Sequence, residues 1–172
     1  MFPPISNFIS SYHDIQDFLI QQSQITMTTD INNHFKKILL LSCASYYEKE
    51  IQDSIKKLTK TKTTDDRIFN FISNKAISRQ YHTYFDWSSK NINSFLGLFG
   101  DEFKTKVTAE INSNDDLVKG MKAFLTIGNE RNKMVHENFL IYNLESTFDE
   151  IVELNNQATN FINYITNKIT EI

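Results

Sequence analysis

Apolar residues recur at steps of three and four along most of the chain, so the pattern reads as helix almost throughout. A first helix is expected from about Ser6 to Gln24, with Phe8, Ile15, Phe18 and Leu19 as its apolar stripe. Thr28, Thr29 and Asp30 read as the cap of a second helix, over about Ile31 to Leu58. Between Ile38 and Tyr47 this helix is apolar almost all round, which predicts a central, buried position. The Lys-Thr run Lys56–Thr64 reads as a polar connector. Asp65 and Asp66 then suit a helix start, continued by Ile68, Phe69, Phe71 and Ile72. The segment Gln80–Phe103 breaks the pattern: it is aromatic-rich and holds two of the four Gly. It predicts a loop, a short helix over Asn91–Phe99 and a tight turn at Gly100. Another short helix is expected over Lys104–Ile111. Asn112–Asp116 is a helix start, followed by Leu117–Val135. A last helix, about Thr147 to Ile169, carries Phe148, Ile151, Ala158, Phe161, Ile162, Ile165 and Ile169 on one face. The sum is an all-α bundle of four to five main helices, one domain over residues 1–172, with a central insertion at about 78–112.

Composition narrows the picture. A chain of 172 residues buries about 68–70% of its unfolded surface and needs no staples. Four Gly and two Pro, the latter at Pro3 and Pro4, are too few for the turns of a β-sandwich or barrel. Neither GxGxxG nor GxxxxGK[ST] occurs, which removes the phosphate-cradling loops. A net charge of −3 excludes a broad non-specific nucleic-acid coat but leaves room for a local patch. Of 18 basic residues only Arg67, Arg79 and Arg131 are arginines. Scarce arginines are expected where planar, bidentate contact with phosphate or carboxylate is needed. Cys43 is the only cysteine, so neither an internal disulfide nor a zinc finger is possible, and it is expected as a buried thiol. The N-terminus lacks the charge and apolar core of a signal peptide. The most apolar stretch, Ile38–Ala44, falls far short of the ~20 residues that span a bilayer. A cytoplasmic protein without a membrane partner is expected.

The helix DDLVKGMKAFLTIGNERNKMVHENF holds the candidate chemistry. Leu117, Met121, Phe124, Leu125 and Gly128 form one stripe. With Met121 at zero on a helical wheel, Asn132 falls about 20° away, His136 about 60° away, and Arg131 about 80° away on the other side. Asn132 and His136 are i and i+4, so they can touch. Gly128 permits close approach by another backbone or helix. A polar cluster on a buried stripe costs on the order of several kcal/mol unless it is satisfied. One reading is a helix C-terminus, with Arg131 and His136 settling the last carbonyls and the dipole. The other is a phosphate site: Arg grips a phosphodiester, His moves a proton, and Asn orients the His or the ribose.

Arg131-Asn132-Lys133-Met134-Val135-His136 resembles the R-polar-x-x-x-H signature of the HEPN superfamily. These are all-α domains found in toxins, abortive-infection systems and other nucleic-acid conflict proteins. As in HEPN domains, the motif sits near the end of a long helix that is followed by a last long helix. The stretches LLLSCASYYEKEI and YFDWSSKNINSFLGLFG are similar to helix two and the middle segment of the subgroup associated with L-PSP-type endoribonucleases. The resemblance covers about residues 30 to 165. It implies a HEPN-like bundle and a metal-independent endoribonuclease that needs no cofactor. His136 would serve as base or acid at the 2′-hydroxyl or the leaving 5′-oxygen. Arg131 would stabilise the phosphorane, and Asn132 would position the His or bind the backbone. Glu48 would support Arg131 or His136. Products would be a 2′,3′-cyclic phosphate and a 5′-hydroxyl. One subgroup has a Tyr two residues after the His; Asn138 stands there, so a role tied to that Tyr is unsupported.

In-line attack wants a base on one side and an acid on the other. One motif supplies one His, so two motifs facing across a twofold axis would complete the site. The expected partners are RNA such as tRNA, a second copy docked through the motif-bearing helix, and an antitoxin. A toxin or anti-phage effector is the expected role. The alternatives are a non-catalytic dimerisation or RNA-binding module, or an antitoxin partner. Lys122, Lys133 and Trp87 are further RNA-binding candidates. Tyr81, Tyr84, Phe85 and Trp87 could stack on bases, but packing of the insertion onto the bundle is the favoured reading. Lys90, Lys104 and Lys106 could line a groove. His13, His34 and His82 are scattered and read as surface or cap residues.

Overall fold

The computed structural model describes residues 2–171, in which there are eight α-helices and no strand. They are α1 (Pro3–Gln21), α2 (Ile25–Lys62), α3 (Asp66–Ile72), α4 (Tyr81–Tyr84), α5 (Asn93–Gly97), α6 (Asp101–Asn112), α7 (Asp115–His136) and α8 (Phe148–Thr170). The fold class is therefore all-α. The long helices α1, α2, α7 and α8 form the bundle, and α2 packs against the other three. Leu39, Leu40, Cys43, Tyr47 and Ile51 make α2 its centre, as the run from Ile38 to Tyr47 predicts. Cys43 is fully buried, and burial pushes its thiol up to about 12. The Tyr47 hydroxyl donates to Asn155 Oδ1 at 2.8 Å and ties α2 to α8.

Several boundaries differ from the pattern. Helix α1 starts at Pro3, because Pro at the first helical positions lacks only an N–H that has no partner there. Its buried face is Ile5, Tyr12 and Leu19, with Phe8 half-buried. Ile15 and Phe18 fall off this seven-residue register and stand exposed. Thr28 and Thr29 are not caps: both lie inside α2, and their hydroxyls donate to carbonyls one turn back. The chain turns instead at Ser23, whose φ of 55° lies in the left-handed region. Helix α2 also runs through the Lys-Thr segment to Lys62, so that segment is helix rather than connector. Helix α6 starts at Asp101, with Asp101 and Glu102 in its first turn, rather than at Lys104.

Other signals correspond. Asp65 caps α3, Asn114 caps α7, and Thr147 opens α8 with a reciprocal cap through Glu150. Gly100 turns at φ 99°, where a side chain would be strained. The segment after α3 continues as a π-turn over Ser73–Ile77. Tyr84, Phe85, Ile92, Phe95, Val107 and Ile111 bring residues 78–112 into the same apolar core as α2 and α7.

Two buried lysines shape the end of α7. The Lys37 ammonium donates to the carbonyls of Phe139 (2.9 Å) and Leu140 (3.3 Å), and Lys36 donates to that of Leu144. They hold the 137–147 segment against one side of the last α7 turn, where Met134 and Leu144 are fully buried. The opposite side, with Val135 and His136, stays open. Lys37→Met strands the two carbonyls and is expected to cost about 1–3 kcal/mol. Thermal unfolding should show that loss, with faster proteolysis confined to residues 137–147.

Candidate functional site

The open side of α7 faces a cleft of about 450 Å³ lined by Glu48, Arg79, Tyr81, His82, Arg131, Asn132, Val135 and His136. The structure thus brings together Arg131, Asn132, His136 and Glu48. The apolar stripe of α7 is buried through Phe124, Leu125 and Gly128 and then emerges. Arg131 and Asn132 are half-buried, and His136 is exposed. The polar cluster is therefore not on a buried stripe, and the desolvation argument for it falls. Arg131 Nη1 donates to Asn132 Oδ1 at 2.9 Å. Among the described residues neither Arg131 nor His136 caps a terminal carbonyl; the helix closes through Glu137 N–H to the Lys133 carbonyl.

Glu48 does not form an ion pair with Arg131 among the described residues. Its Oε1 accepts from Gln52 Nε2 at 3.2 Å. Both charges still act on Tyr81, the nearly buried floor of the cleft. Burial raises its hydroxyl well above the ordinary value, the Glu48 charge adds to this, and Arg131 opposes it. Behind the cleft a small enclosed space is lined by Ala44, Tyr47, Trp87, Phe124 and Gly128 and reaches Arg131 and Asn132.

Gly128 admits a side chain rather than a backbone. A Cβ there would stand 1.9 Å from Cζ3 and 2.1 Å from Cε3 of Trp87. Trp87 also packs on Tyr81, Phe85 and Phe124, and its indole N–H donates to the His82 carbonyl at 3.3 Å. The aromatic segment packs onto the bundle, as favoured. Half-buried Trp87 nevertheless borders a second cleft of about 470 Å³ with Ser88, Ser89, Lys90, Lys122 and Asn129. Lys122 and Trp87 are thus neighbours, one to three turns of α7 before the motif.

Lys133 lies elsewhere. It pairs with Glu130 at 2.7 Å, and Glu130 Oε2 also accepts from the Tyr142 hydroxyl at 2.6 Å. Burial works against the Glu130 carboxylate, but those two hydrogen bonds and the Lys133 charge together hold it below its usual range. This group borders a separate hollow with Asn143 and Glu145, so Lys133 is not brought to the motif cleft.

Two cleft residues escape the periodic reading. Arg79 and His82 lie about fifty residues before the motif, Arg79 in the turn that precedes α4 and His82 within α4. Arg79 is one of the three arginines and was marked only by its scarcity. His82 reads as an ordinary surface residue, and it is indeed exposed. Arg79 has φ 60°, a left-handed conformation that costs a non-glycine residue on the order of 1–3 kcal/mol. Among the described residues no three His, Cys, Asp or Glu side chains form a metal-binding group. Among the described residues no helix is long and apolar enough to cross a membrane.

Residues 6–171 match the protein family described as RiboL-PSP-HEPN. No curated protein and no solved structure matches the chain significantly.

Proposed function

We propose a ribonucleolytic role for this chain, which belongs to the RiboL-PSP-HEPN family over nearly its whole length. HEPN domains are often ribonucleases and are associated with RNA and with dimerisation. The finer reading is a metal-independent endoribonuclease acting as a toxin or anti-phage effector, with residues 1–172 working as one HEPN-like module. The observation that carries it is the convergence of Arg131, Asn132 and His136 on one open cleft. A polynucleotide needs such an open site, because its chain must enter and leave.

In this reading an imidazole takes the proton from a 2′-hydroxyl, whose oxygen attacks the adjacent phosphorus. The P–O5′ bond breaks, and the leaving oxygen receives a proton. A 2′,3′-cyclic phosphate and a 5′-hydroxyl remain. Arg131 balances charge on the phosphorane. Asn132, bonded to Arg131, sets the direction of the guanidinium.

A homodimer through the motif-bearing helix is part of the proposal. Its support is the apolar surface beside the motif: Val135 is 56%, Leu140 69% and Ile141 79% exposed. Exposed apolar side chains of this kind favour association. The proposed substrate is RNA, with tRNA as one candidate, and an antitoxin is a further candidate partner.

The test is cleavage of total RNA by the purified chain in EDTA. Cleavage is expected to persist, with 2′,3′-cyclic phosphate ends. A strict need for a divalent ion contradicts the metal-free reading. Light scattering is expected to give about twice the chain mass, falling to one chain mass in a Val135→Glu/Ile141→Glu variant. The alternative of a non-catalytic RNA-binding or dimerisation module is supported by the acidic net charge only. It predicts RNA binding or dimerisation without cleavage.

A further inference from the structure

The need for a second proton-transfer group led to the argument for two facing motifs. The cleft itself offers another answer. Its α7 wall carries Arg131 and His136, α2 contributes Glu48, and the wall before and within α4 carries Arg79 and His82. One chain therefore presents two imidazoles and two guanidiniums to one open space of about 450 Å³.

The second pair is fixed by its surroundings. Tyr81, between Arg79 and His82 in sequence, is 6% exposed and packs on Tyr84, Phe85 and Trp87. The Trp87 indole N–H holds the His82 carbonyl, and Trp87 in turn rests on Gly128 of α7. The wall that carries Arg79 and His82 is thus wedged against the helix that carries the motif. Arg79 adopts its left-handed conformation at the cleft edge, where glycine would be unstrained. An arginine held there has its side chain, not its backbone, as the reason to be present.

We infer that Arg79 and His82 complete the motif cleft within a single chain, His82 as the second proton-transfer group and Arg79 as a second phosphate-binding residue. The inference rests on the ribonuclease reading above. During cleavage one imidazole, neutral at the start, accepts the 2′-hydroxyl proton as the O2′–P bond forms. The other, protonated at the start, donates to O5′ as the P–O5′ bond breaks. The proton count balances with no co-reactant. Arg79 and Arg131 hold the non-bridging oxygens from two sides. The proposed dimer then rests on its apolar surface and not on a shortage of histidines.

The experiment uses the full chain and total RNA, and then a synthetic RNA containing the mapped cut site. His82→Ala is expected to lower the single-turnover rate by about 10²-fold or more, to remove one limb of a bell-shaped pH–rate profile, and to leave thermal unfolding unchanged. His82→Gln should behave alike. A 5′-bridging phosphorothiolate at the cut site needs little leaving-group protonation. It should restore the rate of whichever histidine variant lacks the acid, which assigns the two roles. Arg79→Gly is expected to slow cleavage by about 10²-fold without loss of stability, since glycine relieves the backbone. Mixing His82→Ala with His136→Ala chains should restore nothing, because each cleft still lacks one imidazole.

Wild-type cleavage by His82→Ala, or retention of both limbs of its pH profile, overturns the inference while leaving the ribonuclease reading intact. Activity regained on mixing overturns the single-chain assignment. Absence of cleavage by the wild-type chain itself removes the underlying reading instead.

Discussion

His136→Ala is expected to reduce RNA cleavage by about 10²–10⁴-fold, the range that one positioned proton-transfer group supplies. The side chain is exposed at the last turn of α7 and has no hydrogen-bond partner among the described residues. Its removal therefore opens no core cavity. The only stability at stake is its interaction with the helix C-terminus, about 0.3–1 kcal/mol when charged. Cleavage and thermal unfolding measured on one preparation separate these effects. A variant that unfolds like the wild type and does not cut supports His136 in the chemistry. A variant that cuts at the wild-type rate removes it.

Gly128→Ala is expected to have the largest effect on stability of any single methyl added to the chain near the site. The new Cβ would lie within about 2 Å of two Trp87 ring atoms, well inside contact distance. Either the indole leaves its place between Tyr81, Phe85 and Phe124, or α7 moves away from it. Overpacking of this kind costs typically about 1–3 kcal/mol. The effect should also reach activity, because Trp87 and Tyr81 back the motif cleft. Gly97→Ala is the control. There the nearest atom to a new Cβ is Lys104 Cδ at 4.0 Å, and reduced freedom of the unfolded chain should stabilise by about 0.4–1 kcal/mol. Melting curves that rank Gly97→Ala above wild type and Gly128→Ala below it support the wedge. Equal curves for the two variants contradict it.

The site was partly legible in the sequence. The motif residues Arg131, Asn132 and His136 lie on one helix, so their spacing alone places them together. Glu48 came from the family resemblance; the structure brings it to the cleft, though bonded to Gln52 and not to Arg131. Lys133 stands inside the motif in sequence, but two positions from Arg131 on a helix turn it to another face, toward Glu130 and Tyr142. Arg79 and His82 left no periodic signal. They sit in a turn and a four-residue helix, where neither the period of 3.6 nor the period of 2 applies.

The same limits govern the fold. Caps with a side-chain acceptor, at Asp65, Asn114 and Thr147, mark helix starts because the hydrogen bond is local. The threonines at 28 and 29 carry the same chemistry, yet they bond back to carbonyls of the preceding turn. A hydroxyl does not reveal which neighbouring carbonyl or N–H it will meet. Likewise Ile15 and Phe18 are as apolar as Ile5 and Leu19, but only one register of α1 meets α2.

By itself the sequence determined the all-α class, the long helices, the buried centre of α2 and the alignment of the motif on α7. These follow from interactions between residues a few positions apart, whose geometry a helix fixes in advance. Tertiary structure alone decided which side of the last α7 turn stays open, because Lys36 and Lys37 clamp a segment about one hundred residues away over the other side. It also decided that the wall bearing Arg79 and His82 faces the motif, because Trp87 fits only where Gly128 leaves room. Those are contacts of shape between distant segments, and a pattern of three and four contains no record of them.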